Sequence, residues 1–158
     1  MPKFVEVDHR IWIDAPQSSV KAQFADLDHH IRTNVHPKLR FEVLERSPTH
    51  ARFTQEVRLL GVRQRDVFQR EVRPDGSIRD LSVEGFNEGG SLDFHFTPEV
   101  RDGHEGTGVD ILIRLPLPPL LGWLAPVLKS QVRREVTAAA LEDKYDLEQR
   151  GYPNAAMA

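Results

Sequence analysis

The sequence predicts an α+β fold: a seven-stranded, curved antiparallel sheet wrapped on a long C-terminal helix, with two short helices between strands 1 and 2. Three observations predict it. Across residues 39–115 apolar and polar side chains alternate in short stretches, the period of half-buried strands. The stretches are joined by turns too short for anything but antiparallel pairing. After an apolar, proline-broken passage (LPLPPLLGWLAP), the period changes to a helical one that about 25 residues can sustain.

The elements follow in order. Val5, Val7, His9, Ile11 and Ile13 alternate with Glu6, Asp8, Arg10 and Trp12 as the first strand. Asp14-Ala15-Pro16 ends it and opens a helix, with Asp14 as N-cap and Val20, Phe24 and Leu27 as the apolar stripe. Residues 26–37, polar, histidine-rich and stopped by Pro37, read as a second short helix. Phe41, Val43 and Glu45 define strand 2, and Ser47-Pro48-Thr49 turns the chain into strand 3 at 52–60. Gly61 leads into strand 4 at 63–72, and Pro74-Asp75-Gly76 has the proline and glycine of a hairpin turn. Strands at 78–83, 91–97 and 109–115 complete the seven, separated by 87–90 and 101–108. On the last helix Leu128, Val132, Val136, Ala139 and Ala140 share one face, with Lys129, Arg133, Arg134, Lys144 and Arg150 mostly off it.

A chain of 158 residues fits one domain, expected at 1–152 with a frayed tail at 153–158. A net charge of −3 with both signs interspersed gives no basic stripe, which argues against a nucleic-acid partner. The lack of cysteine excludes disulfides, thiolate metal sites and a cysteine nucleophile, and favours the cytoplasm. The charged opening MPKFVEVDHRIWID does not read as a signal peptide, and no apolar stretch reaches the ~20 residues a membrane helix needs. The apolar passage 115–128 suits a transient membrane touch, a gate, a dimer face or ordinary core; a monomer and a homodimer are both open.

A long helix gripped by a curved sheet can enclose a cavity. Its expected lining is Phe68 and Arg70 on strand 4, Phe94 and Phe96 on strand 6, Trp123, and Leu128 and Val132 on the helix. If those phenylalanines face inward, His95 between them faces out. Gln64, Asp66, Phe68 and Arg70 share a strand face, so a buried Arg70 pair with Asp66 or Asp80 would orient a ligand carbonyl or phenol. Alternating charges on strands more commonly form solvent-facing cross-strand pairs. The sharpest chemical feature is Asp26, Asp28, His29, His30 and His36, with His9 nearby in sequence. In one helix His29, Thr33 and His36 would share a face, and imidazoles beside carboxylates are donors for Fe²⁺ or Zn²⁺. The same residues also suit a solvated helix junction that binds nothing.

The opening VEVDHRIWIDAPQSSVKAQFADLDHHIRTNVHP and the closing GTGVDILIRLPLPPLLGWLAPVLKSQVRREVTAAALEDKYDLEQ resemble the START-like (SRPBCC) superfamily, its polyketide-cyclase-like branch in particular. The resemblance spans essentially the whole chain. It implies a helix-grip fold with a deep apolar cavity for a small hydrophobic or amphipathic ligand of lipid, polyketide or aromatic type. Cyclase or aromatase chemistry on that ligand is the enzymatic alternative. In the Rieske oxygenases of the same superfamily, two histidines follow an aspartate and a carboxylate on the last helix completes a metal triad. Here His30 and His36 follow Asp26, with Glu135 as third ligand and Glu142 or Asp143 as alternatives. The histidine spacing is one residue longer than that pattern, and no cysteine is present for an iron–sulfur cluster.

Overall fold

A computed structural model describes residues 3–152, and the tail at 153–158 lies outside the described residues. Strand β1 (Lys3–Ile13) is followed by helices α1 (Gln17–Ala25) and α2 (Leu27–Arg32). Six strands come next: β2 (Arg40–Arg46), β3 (His50–Leu59), β4 (Val62–Val72), β5 (Ile78–Gly85), β6 (Ser91–Arg101) and β7 (His104–Leu117). A 3-10 segment (Pro119–Leu124) leads into helix α3 (Ala125–Tyr145), which widens to π geometry over Asp146–Gly151.

The seven strands form one curved antiparallel sheet in the order β1-β7-β6-β5-β4-β3-β2. From β2 to β7 each strand pairs with its neighbour in sequence. β1 pairs instead with β7, Val7 opposite Ile113, so β1 and β2 stand at opposite edges and α1–α2 make the crossing. Leu128, Val132, Val136 and Ala140 of α3 turn inward against Val5, Val7 and Ile113, as the helical stripe predicts. Those apolar faces leave water together, at roughly 25 cal/mol per Å² buried.

Several local expectations are corrected. Asp14 is not a helix cap: Pro16 takes the N-cap position, and Asp14, two residues earlier, is too far from the first turn. Its N–H donates to Glu148 Oε2 at 2.8 Å and its carboxylate pairs with His104. Asp26 is the true cap, accepting the His29 N–H at 2.9 Å at the start of α2. The β6–β7 hairpin runs through 101–108 instead of breaking there, turning only at Asp102-Gly103. Gly106, which reads as a loop residue, is a strand position that the Trp12 ring crosses: a Cβ there would lie 2.5 Å from the indole. The face of β4 carrying Gln64, Asp66, Phe68 and Arg70 is buried rather than solvent-facing.

Candidate functional site

A cavity of about 170 Å³ lies between the inner face of the sheet and α3. Its aromatic wall is built from successive strands: the Phe41 and Phe53 rings sit 6.1 Å apart, and Phe53 stacks on Phe68 at 5.7 Å. Phe24 of α1 meets Phe94 edge-on at 5.8 Å. Val132, Ala138 and Ala139 supply the helix side, where small side chains leave room.

One polar group in this wall is Arg70. It is buried, donates to both carboxylate oxygens of buried Asp80 at 2.7 and 2.8 Å, and donates to the Phe24 carbonyl at 3.1 Å. Three of its five N–H donors are thereby engaged, leaving two without a protein partner among the described residues. Asp66 does not pair with Arg70. It accepts from Ser82 Oγ, the Asn87 N–H and Asn87 Nδ2, which pins the β5–β6 loop.

The histidines gather at the C-terminal end of α3. His30 Nε2, His36 Nε2 and a carboxylate oxygen of Asp143 all lie within 4.8 Å of one another, and all three residues are buried. His30 comes from α2. His36 comes from the loop beyond it, which turns back through Asn34 at φ 51°. The meeting is therefore made by the loop and not by helical spacing. His29 diverges to Asp146 Oδ2 at 2.6 Å, and His9 stays on β1 opposite Ile111.

Each Nε2 that faces Asp143 is aimed by a partner on the other side of its ring. His30 Nδ1 is 2.8 Å from the Asp26 carbonyl, to which it can only donate, and His36 Nδ1 is 3.0 Å from Glu142 Oε1. On the other side of the ring, His30 Nε2 stands 2.9 Å from Asp143 Oδ1. Burial opposes charge on His36, but Asp143 and Glu142 outweigh it and raise its pKa to about 9. Burial likewise pushes Asp143 up, while His36 and His30 prevail and hold it well below the usual carboxylate range. Gln23 Nε2 bridges this site to the next, donating to Asp143 at 2.9 Å and Asp146 at 3.0 Å.

Of the residues expected to line a cavity, Phe68, Arg70, Phe94 and Val132 do so. Phe96 instead packs edge-on against Phe24 at 5.3 Å, Leu128 is core outside the lining, and Trp123 is 74% exposed. His95 is exposed, since its neighbours turn inward. Glu135 lines the cavity but stands eight residues before Asp143, about 12 Å along the helix, so Asp143 is the carboxylate that meets the histidines. Phe24, Phe41 and Phe53 were absent from the expected lining. The inward phase of β3, set by Phe53 and Val57, was a usable signal. Gln23 offered none.

No protein-family model and no curated protein sequence matches the chain. Solved structures do. A protein from Thermus thermophilus (TTHA0849) superposes with a TM-score of 0.76 at 18% identity, over 92% of this chain and 98% of that one. The Zhui aromatase/cyclase from Streptomyces sp. R1128 gives 0.70 at 17%, over 98% of each. A START superfamily protein from Mycobacterium smegmatis gives 0.74 at 14%, over 91% and 97%. The chain has the START-like helix-grip fold.

Proposed function

We propose that the protein binds a small, largely apolar molecule in the cavity between sheet and α3, with a polar end of the ligand held by Arg70. The observation that carries this is an aromatic-walled cavity whose lining includes a buried guanidinium with two N–H donors unpartnered among the described residues. At about 170 Å³ the cavity is close in size to one of about 150 Å³ that takes a single benzene ring, so the enclosed part of the ligand is on the order of one ring. The test is native mass spectrometry of the intact protein beside Ala139→Trp, which fills the cavity from the helix side. A co-purified apolar compound lost from the folded variant supports the reading; empty protein, with no binding of aromatic or lipid probes, sinks it. The enzymatic form of the same reading is a cyclase or aromatase, as in the Zhui neighbour, with Arg70 polarising a carbonyl and His30 or His36 moving protons on a held chain.

A second reading has its own observation. His30 and His36, with Asp143, form a two-nitrogen, one-oxygen donor set suited to Zn²⁺ or Fe²⁺, and both rings are already aimed through their Nδ1 atoms. Bound there, such an ion would supply a Lewis acid. Glu142 and the Asp26 carbonyl would orient its ligands, and Gln23 would hold Asp143. Metal analysis after loading with Fe²⁺ or Zn²⁺ decides it: near-stoichiometric metal lost from His30→Ala/His36→Ala supports the site, and equal retention by both proteins removes it.

A further inference from the structure

The two most exposed large apolar side chains among the described residues, Leu120 and Trp123, lie with several others at one end. Antiparallel order brings the start of β1, the β3–β4 turn, the β5–β6 loop and the exit of β7 to the same end of the sheet. Lys3 pairs with Leu117, Gly90 lies against Pro116, and the Leu60 N–H donates to Gln131 on α3. Each of these segments is tipped with an exposed apolar residue. The 3-10 segment shows Leu120 at 90% and Trp123 at 74%, followed by Val127 on α3. The β5–β6 loop shows Phe86 at 61%, and Leu60 and Val62 flank the β3–β4 turn. Away from this end, exposed apolar residues are spread over separate elements: Val100 at the β6–β7 turn, Ile31 on α2, Leu44 on β2, and Leu141 and Tyr145 on α3.

The charges around this rim are mostly of one sign. Lys3, Arg58, Arg63 and Lys129 are exposed there and form no ion pair among the described residues, against the exposed acids Glu84 at the end of β5 and Glu88 in the β5–β6 loop. Arg58 and Arg63 face each other directly across the β3–β4 hairpin, a like-charge pairing that destabilises a sheet when nothing anionic covers it. We infer that this end docks on an anionic lipid surface, with Leu120, Trp123 and Phe86 inserted and the basic residues over the headgroups. Aromatic and leucine side chains beside lysine and arginine are the chemistry of an interfacial anchor. A second copy fits less well, because a twofold contact would set Arg58, Arg63 and Lys129 against their own images. The docked end is also the cavity's aliphatic end, lined by Leu59 and Leu115, while Asp143 lies about 21 Å along α3 from Lys129.

The test is co-sedimentation of the full chain with phosphatidylcholine vesicles and with vesicles containing roughly 30% phosphatidylserine, the fraction chosen for its negative surface potential. Binding is expected on the anionic vesicles, weakened by salt, with a blue shift of tryptophan emission in a Trp12→Phe background. Leu120→Ser/Trp123→Ser should lose binding tenfold or more. Arg58→Gln/Arg63→Gln should lose roughly fivefold per charge. Val100→Ser, at the other end, should bind like the parent. The substituted rim residues and Val100 are exposed, so the fold is not at stake in those variants; Trp12 is half-buried, so the Trp12→Phe background is first shown to keep the parent's far-UV dichroism and melting temperature. Absence of binding to anionic vesicles, or binding that the rim variants leave intact, overturns the inference. A stable dimer that the rim variants dissociate assigns the surface to a second copy and overturns it equally.

Discussion

Arg70 holds Asp80 at two points while its guanidinium sits 5.2 Å from the centre of the Phe53 ring, so a full charge is kept inside an aromatic wall. Removing one partner strands the other. Asp80→Asn should cost about 3–5 kcal/mol, read as a lower urea midpoint at unchanged slope, whereas replacing both residues by apolar ones of similar volume should cost much less. His36 supplies a pH signature. Its folded pKa of about 9 stands above the ordinary 6.5, so its ion pairing contributes fully below 6.5 and is lost as pH rises through 9. In chelator-treated protein, melts between about pH 7 and pH 10 should show a loss on the order of 2–3 kcal/mol, and His36→Gln should flatten that dependence. At this scale the sequence exposed the histidines through their clustering. It hid Gln23 and Asp146, because their partners lie over a hundred residues away and polar residues carry no mark of burial.

The hairpin of β6 and β7 shows how an element can overrule its own residues. Pro98, Gly106 and Gly108 argue for a loop, yet Pro98 pairs with Thr107, and the Trp12 indole N–H donates to the Glu99 carbonyl at 2.9 Å. The glycines are there because β1 places Trp12 and Arg10 over them. Gly106→Ala should push the indole aside and cost about 1–3 kcal/mol, as overpacking does, visible as a lowered melting temperature and altered near-UV dichroism of Trp12. Strand phases and the α3 stripe were legible because period and burial coincide there. Helix starts were less so: Asp14 and Asp26 are both good caps by type, and only the position of Pro16 separates them.

For the molecule as a whole, the cavity means that part of the interior is not filled by the chain itself. A ligand that occupies it should stabilise the folded state by about 2.7 kcal/mol at a hundredfold excess over Kd, a shift in melting temperature of roughly 5–10 °C for a chain of this length. Thermal shift against a panel of aromatic and lipid-like probes would read this directly, with Ala139→Trp giving none. The antiparallel sheet and terminal helix were predictable together. The void between them was expected from the family resemblance and not from periodicity, since curvature depends on how all seven strands twist at once.

Closure of the sheet also orders events at the ribosome. Among the described elements β1 precedes all the others in the chain, whereas its partner β7 and its covering helix α3 come after them. The β2–β7 meander can form hairpin by hairpin as it emerges, while Val5, Val7 and Ile13 stay uncovered until α3 has emerged. A nascent chain halted before Ala125 therefore carries a finished meander and an open apolar trough, the state in which a chaperone would find it.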